Sequence, residues 1–345
     1  MEYGAIDLHM KKSVVRIVDE TGTVIVRDRI TTSREGFAAL FGPRARMRIL
    51  LESSTESEWV AQVLESLGHE AVVADPQYAP MYGSRSRRIK TDERDVTALA
   101  EANRTGVYRR AHRVSATQQE RRQLLTVRKH LVESRSSTIS VLRSLLRQAG
   151  LRLGSGTPST VEARLARLTI PPALAAQLQP LRELLSTLET ELTQLEETVE
   201  TIASTDDVAQ RLMTTPGVGP VIALTFQATL DDPARFGGDA RRVSAFLGLV
   251  PSESSSAERQ HKGHITKAGP PILRSLLVQG SWVIFRGRSA EGAALRTWAH
   301  ALAARRGRRI AIIALARRLA RVLYALWRDG TEFQVGVRRG AASAA

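Results

Sequence analysis

The chain has 345 residues, room for two domains or three at about 150 residues each. Its 43% hydrophobic and 25% charged residues are the balance of a globular protein with a sizeable core. Fifty Lys+Arg against 35 Asp+Glu leave a formal +15, which favours polyanionic partners, nucleic acid ahead of an anionic membrane surface. Cysteine is absent, which excludes disulfide scaffolds, thiolate zinc sites and cysteine nucleophiles.

In chain order, residues 6–8, 14–18 and 24–30 are short β-branched runs, with a turn at Glu20-Thr21-Gly22-Thr23 between the second and third. Ser33 is a good N-cap for a helix through Phe37, Leu40 and Phe41. A strand at 47–51, a helix over Trp59, Val63, Leu64 and Leu67, and a strand at 71–74 follow. A three-strand meander and then helix–strand–helix–strand predicts a mixed α/β sheet; the RNase H-like (RuvC-like) fold is one of several with that order.

From about Thr117 the pattern is helical, with Leu124, Val127, Leu131, Thr138, Val141 and Leu145 as its stripe. Residues 104–152 hold twelve Lys/Arg and two Glu, net +10, and 150–158 (GLRLGSGTP) is a linker by composition. Leu181, Leu185, Leu188, Leu192, Leu195, Val199 and Ile202 then form a heptad seam. Such a seam is either an amphipathic helix packed on its own chain or a coiled coil, within the chain or between protomers. The part from 208 to 335 is helical and Gly-punctuated, and residues 259–345 carry seventeen Lys/Arg against three acids, net +14. The organisation expected is a mixed-sheet domain at 1–110, long helices with linker and coiled coil at 111–207, a mainly helical domain at 208–335, and a disordered tail at 336–345.

Residues 1–13 hold no apolar core of signal-peptide length. The seven-residue apolar run at 310–316 falls far short of the ~20 that span a bilayer. A cytoplasmic protein without membrane partners is expected.

Four carboxylates stand out by placement. Asp7 lies within the first strand, Glu52 directly follows the strand at 47–51, and Asp92 and Asp95 sit three apart at the start of a helix, on one face. An acid in an apolar strand is costly to bury unless a cation neutralises it. A cluster of hard oxygen ligands suits Mg²⁺ or Mn²⁺, and two such ions about 4 Å apart can clamp a phosphodiester during displacement. Singly, each acid has an ordinary reading: Asp7 paired with a Lys or Arg, Glu52 in a turn or cap, Asp92 and Asp95 favouring a helix N-terminus through the macrodipole. In the second half, Gly-x-Gly in Pro216-Gly217-Val218-Gly219-Pro220 is either a tight turn between helices or a backbone grip on a DNA phosphate through Gly217 and Gly219. Lys267, Arg274 and the arginines at 305–309 are candidate phosphate contacts. The stretch Ser254-Ser255-Ser256 reads by itself as a flexible loop.

These segments together carry a resemblance. Gly4-Ala5-Ile6-Asp7-Leu8-His9, Leu50-Leu51-Glu52-Ser53-Ser54 and Lys90-Thr91-Asp92-Glu93-Arg94-Asp95 resemble the acidic motifs of a bacterial insertion-sequence transposase family with an N-terminal RuvC-like DEDD domain, relatives of the Piv-type DNA invertases. The TPGVGP segment at 215–220, Arg235-Phe236, FLGLVP at 246–251, the serines at 254–256, ITKAG at 265–269 and RSLL at 274–277 follow in the family's C-terminal order. The resemblance covers about residues 4–105 and 210–285. It implies an RNase H-like fold, a metal-binding tetrad of Asp7, Glu52, Asp92 and Asp95, and a strand-cleaving serine corresponding best to Ser256, with Ser255 the alternative. Ala257 stands where the family has glycine. The resemblance further implies DNA ends and target as substrates, a structured guide RNA that the 104–152 stretch could bind, and a homodimer or tetramer.

Three other readings are open. A Holliday-junction resolvase would use the acids alone and leave Ser256 without a role. A sugar-kinase or actin-like ATPase needs a glycine-rich loop after the first strand, where His9-Met10-Lys11-Lys12 stands instead. An inactive nucleic-acid-binding protein has no need of the complete acidic set.

Overall fold

A computed structural model describes residues 1–83, 91–256 and 259–335, and at 254–256 and 259–262 the backbone alone. The chain divides into two compact units, Met1–Val114 and Ser115–Ala345. The long helices expected as a segment of their own therefore cluster with the helices that follow them. The tail at 336–345 lies outside the described residues.

Unit one is built on a five-stranded sheet: β1 (Tyr3–Asp7), β2 (Lys12–Val18), β3 (Val24–Thr31), β4 (Arg48–Glu52) and β5 (Glu70–Ala74), in the order β3-β2-β1-β4-β5. β1, β4 and β5 run parallel, and β2 and β3 are antiparallel neighbours on one side. β1 and β4 each bury three consecutive residues, as strands covered on both faces do. On one face Ile6, Ile49, Leu51 and Val73 pack against α1 (Arg34–Phe41) and α2 (Ser57–Ser66). On the other, Ala5, Leu50 and Val72 meet Val96 and Leu99 of α3 (Asp92–Thr105). The Ser33 hydroxyl caps α1 by accepting from the Gly36 N–H. The Asp19 carboxylate closes the β2–β3 turn, accepting from the Thr21 and Thr23 amides.

Unit two opens with α4 (Ala116–Gln148), the short α5 (Val161–Leu165) and α6 (Pro172–Thr205). α4 packs on α6 within the chain, with Leu185, Leu188, Leu192 and Val199 of the heptad seam buried. Along this pair Arg128 meets Glu196 at 2.7 Å and Arg135 meets Glu189 at 3.2 Å. On α4 the buried residues are Leu125, Thr138, Ile139, Leu142 and Leu146, while Val127 and Val141 are exposed. The expected α4 stripe is thus displaced by about one residue over much of its length. The Leu124-Leu125 and Leu145-Leu146 pairs let the pattern be read along either of two adjacent faces, and α6 decides between them.

The rest of unit two comprises α7 (Asp207–Met213), α8 (Pro220–Leu230), α9 (Ala240–Phe246), the hairpin β6 (Pro251–Ser256) and β7 (Arg259–Ile265), α10 (Pro271–Arg286), α11 (Ala293–Arg306) and α12 (Arg308–Asp329). Every residue of α8 from Ile222 to Leu230 is buried, so it is a central helix with no solvent face. The serine stretch expected as a loop is instead strand β6, with Ser256 opposite Arg259 across the hairpin; cross-strand pairing supplies the order that composition does not show. Among the described residues, no helix is long and apolar enough to cross a membrane.

Candidate active site

The four acids arrive at one cleft by separate routes. Asp7 ends β1 and Glu52 ends its parallel neighbour β4, with Ile6 level with Leu51 in the register, so both carboxylates emerge at the same edge of the sheet. Asp92 and Asp95 lie in the first turn of α3, where Thr91 is the N-cap and accepts from the Arg94 N–H. Asn103, fully buried near the other end of α3, donates from Nδ2 to the Gly4 carbonyl (2.8 Å) and the Arg48 carbonyl (2.9 Å). One side chain thereby registers α3 against both acid-bearing strands. The resulting cleft, about 620 Å³, is lined by Asp7, Glu52, Asp92 and Asp95 together with His9 and Tyr82.

The electrostatics agree with this convergence. Burial pushes the Asp7 carboxyl up, His9 opposes, and the charges of Glu52, Asp95 and Asp92 push it further in the same direction as burial. Asp7 and Asp95 are largely buried, whereas the Asp92 side chain is about half exposed. Asp92 is held by Arg29 Nη2 at 2.9 Å, and the Tyr82 hydroxyl donates to Glu52. His9 Nε2 lies 3.3 Å from Asp7 Oδ2 and 3.6 Å from Asp92 Oδ1. One ligand atom from each of Asp7, His9 and Asp92 falls within 4.8 Å of the others. An excess of hard anionic oxygens, mutually repelling at a sheet edge, is a donor set that a divalent cation fits.

His9, Tyr82 and Arg29 escape the sequence reading. His9 stands two residues after Asp7, a spacing that could have flagged it. Tyr82 reaches the cleft from a short 3-10 turn, and Arg29 of β3 pairs with Asp92 from a neighbouring pocket; no local pattern connects either to the acids.

In unit two the remaining candidates have distinct surroundings. Gly217 has φ +75°, and a Cβ there would stand 2.6 Å from the Gly280 carbonyl oxygen of α10, so packing alone requires glycine. Gly219 opens α8 as its N-cap with nothing within 4 Å of a built Cβ. Lys267 is exposed and adopts φ +55°, unusual for a residue with a side chain. Beside it, Gly269 at φ +74° passes so close to the Phe246 carbonyl that a Cβ would sit at 1.9 Å. Arg274 ties this crossing together, donating from Nη1 to the Leu247 and Ala268 carbonyls at 3.1 Å each. Its guanidinium is therefore partly occupied by backbone. The Ser256 side chain and Ala257 lie outside the described residues.

Residues 209–295 match a model of the transposase IS116/IS110/IS902 family, and residues 5–150 match a DEDD transposase model of the IS110 type. A Sinorhizobium fredii protein assigned as transposase y4pF/y4sB is 30% identical over 343 residues, covering 95% of this chain and 85% of that protein. The chain belongs to the IS116/IS110/IS902 transposase family. A Pseudomonas aeruginosa protein assigned as a family 20 transposase is 29% identical over 97% of this chain and all of its own length. The Coxiella burnetii transposase for insertion sequence element IS1111A is 29% identical over 90% of this chain and 85% of its own. Membership makes this an insertion-sequence transposase, an enzyme that cuts and rejoins DNA, and makes its five-stranded sheet the RNase H-like domain of that family.

Proposed function

We propose that the protein moves its insertion element by metal-dependent strand cleavage and exchange, using the acidic tetrad together with Ser256 and directed by an element-encoded RNA. The observation that carries the metal part is the convergence of Asp7, Glu52, Asp92 and Asp95 on one cleft. These residues would hold Mg²⁺ or Mn²⁺, which supplies Lewis-acid stabilisation of charge on a phosphodiester. Tyr82 orients Glu52, and Arg29 holds Asp92 while offering a guanidinium to a DNA phosphate.

The serine part rests on the family's motif order and on chemistry. A serine hydroxyl is a weak nucleophile until activated. Attack by Ser256 Oγ on phosphorus would form a seryl phosphodiester and release one deoxyribose oxygen, which takes up a proton. Religation in a new pairing reverses these steps and returns the hydroxyl. Gly219 with the first turn of α8, Lys267, and the exposed arginines at 305, 306, 308 and 309 are the proposed phosphate contacts, with a lesser share from Arg274 and Gly217, whose groups are engaged within the fold.

Nine of the twelve cationic residues in 104–152 are engaged by acids or by carbonyls of another element. Arg109 pairs with Asp75, Arg113 with Glu58 and Glu65, and Arg121 with Asp206. Arg122 donates to the Ala228 and Thr229 carbonyls, and Arg104, Arg110, Arg128, Lys129 and Arg135 each have a glutamate. Arg143, Arg147 and Arg152 are exposed, make no ion pair among the described residues, and line a cleft of about 810 Å³ near the end of α4. This is where the RNA would be gripped. A homodimer or tetramer would bring two DNA ends together.

The test is strand exchange with purified full-length protein, Mg²⁺ and the RNA recovered with it. Asp92→Asn should abolish cleavage, and Ser256→Ala should abolish cleavage without weakening DNA binding. Full cleavage by Ser256→Ala would instead favour a RuvC-like resolvase acting through the tetrad alone. Exchange that proceeds with no RNA bound would remove the guided part.

A further inference from the structure

We propose that His9 is a nitrogen ligand of the metal site and biases it towards Mn²⁺ over Mg²⁺. The inference rests on the metal part of the proposed function and goes beyond the tetrad, which is all oxygen.

Three observations carry it. First, His9 Nε2 stands 3.3 Å from Asp7 Oδ2 and 3.6 Å from Asp92 Oδ1. In an octahedral shell with bonds of about 2.1 Å, neighbouring ligands are about 3 Å apart and opposite ones about 4.2 Å. The nitrogen stands from each oxygen at a separation between those two values, and one ligand atom from each of the three residues falls within 4.8 Å of the others. Second, the backbone that carries His9 is anchored. The chain between β1 and β2 is clasped by Thr32, whose hydroxyl donates to the His9 carbonyl (2.7 Å) and hydrogen-bonds with the Ser13 hydroxyl (2.8 Å), while its amide donates to the Lys11 carbonyl (3.0 Å). The imidazole is thus presented at the cleft from a braced turn. Third, His9 faces Asp7 and Asp92, members of two different elements, so it bridges the strand half and the helix half of the tetrad.

The competing account is an ion pair in which a protonated imidazole merely neutralises two acids. The two accounts differ once a cation is bound: a ligand stays and coordinates, whereas a counter-ion is displaced. They also differ in metal preference. Carboxylate and water ligands suit Mg²⁺ and Mn²⁺ alike, whereas imidazole favours transition metals.

The experiment uses the full-length protein with Mn²⁺ as probe. Pulsed electron paramagnetic resonance reads nitrogen coupling to the manganese, and calorimetric titration compares Mn²⁺ with Mg²⁺ for the wild type, His9→Gln, His9→Asp and Asp7→Asn. The expected result is a nitrogen coupling in the wild type that His9→Gln abolishes, with Mn²⁺ affinity falling about tenfold or more and Mg²⁺ affinity falling less. His9→Asp should keep metal binding while losing both the nitrogen coupling and the Mn²⁺ preference. Absence of nitrogen coupling in the wild type, or unchanged Mn²⁺ affinity in His9→Gln while Asp7→Asn loses it, overturns the role of His9 and leaves the tetrad standing. Unchanged Mn²⁺ binding by Asp7→Asn overturns both readings.

Discussion

Asp7 shows how a functional residue is held against its own preference. Burial raises its carboxyl, and of the neighbouring charges His9 opposes while Glu52, Asp95 and Asp92 add to the rise. A carboxyl raised on folding binds its proton more tightly in the native state. Its contribution to stability is therefore complete below the ordinary carboxylate value and lost as pH rises through the raised one. Above that raised value the charged Asp7 is a net strain on the metal-free fold. Asp7→Asn is expected to raise the melting temperature of metal-free protein at neutral pH, and to remove the rise that Mg²⁺ gives the wild type. Scanning calorimetry with and without Mg²⁺ checks both, and a lowered melting temperature in the metal-free variant would count against the mutual repulsion. Asn103 is the opposite case, a buried polar group whose two bonds serve the fold. Asn103→Ala leaves the Gly4 and Arg48 carbonyls without that donor and should cost about 1–3 kcal/mol, read as a lower urea midpoint of the unit-one transition.

At the scale of elements, the two glycines of the α7–α8 turn have the same spacing role in sequence and different physical roles in space. Gly217 needs a positive φ and sits against α10, whereas Gly219 has open space at the start of α8. Gly217→Ala should destabilise unit two by about 1–3 kcal/mol through backbone strain, before counting the clash with Gly280. Gly219→Ala should leave thermal unfolding nearly unchanged, since a Cβ there has open space, and weaken DNA binding if the α8 N-cap is a phosphate contact. Equal effects of the two substitutions on unfolding would contradict this division.

For the chain as a whole, a net charge of +15 overstates what a polyanion meets. Much of the positive charge at 104–152 is spent on glutamates and aspartates within the same unit, as with Arg128–Glu196 and Arg135–Glu189. The three exposed arginines at 143, 147 and 152, which make no ion pair among the described residues, should therefore account for most of that stretch's share in nucleic-acid binding. Replacing all three with alanine is expected to flatten the dependence of log K on log salt by roughly two units for RNA, measured by fluorescence anisotropy across a salt series. An unchanged slope would place the RNA contact elsewhere.

The sheet and its four acids were legible because both rest on short-range rules. Strands covered on both faces read as apolar runs, Ser33 announces a helix start, and the pattern sets Asp7 within a strand, Glu52 directly after one, and Asp92 and Asp95 at the start of a helix. The family's motif order was legible for the same reason, since it needs no knowledge of what lies beside what. Contacts between distant segments were not. The face of α4 that turns inward depends on α6; the serine stretch becomes a strand only through its partner across the hairpin. The cleft gains His9 and Tyr82 from a turn and a 3-10 segment, Asp92 gains Arg29 from β3, and the basic stretch loses most of its reach to acids far along the chain. Local propensity and periodicity act over a few residues and are written in order, whereas burial, pairing of charges and the composition of a cleft are sums over neighbours that the folded backbone alone brings together.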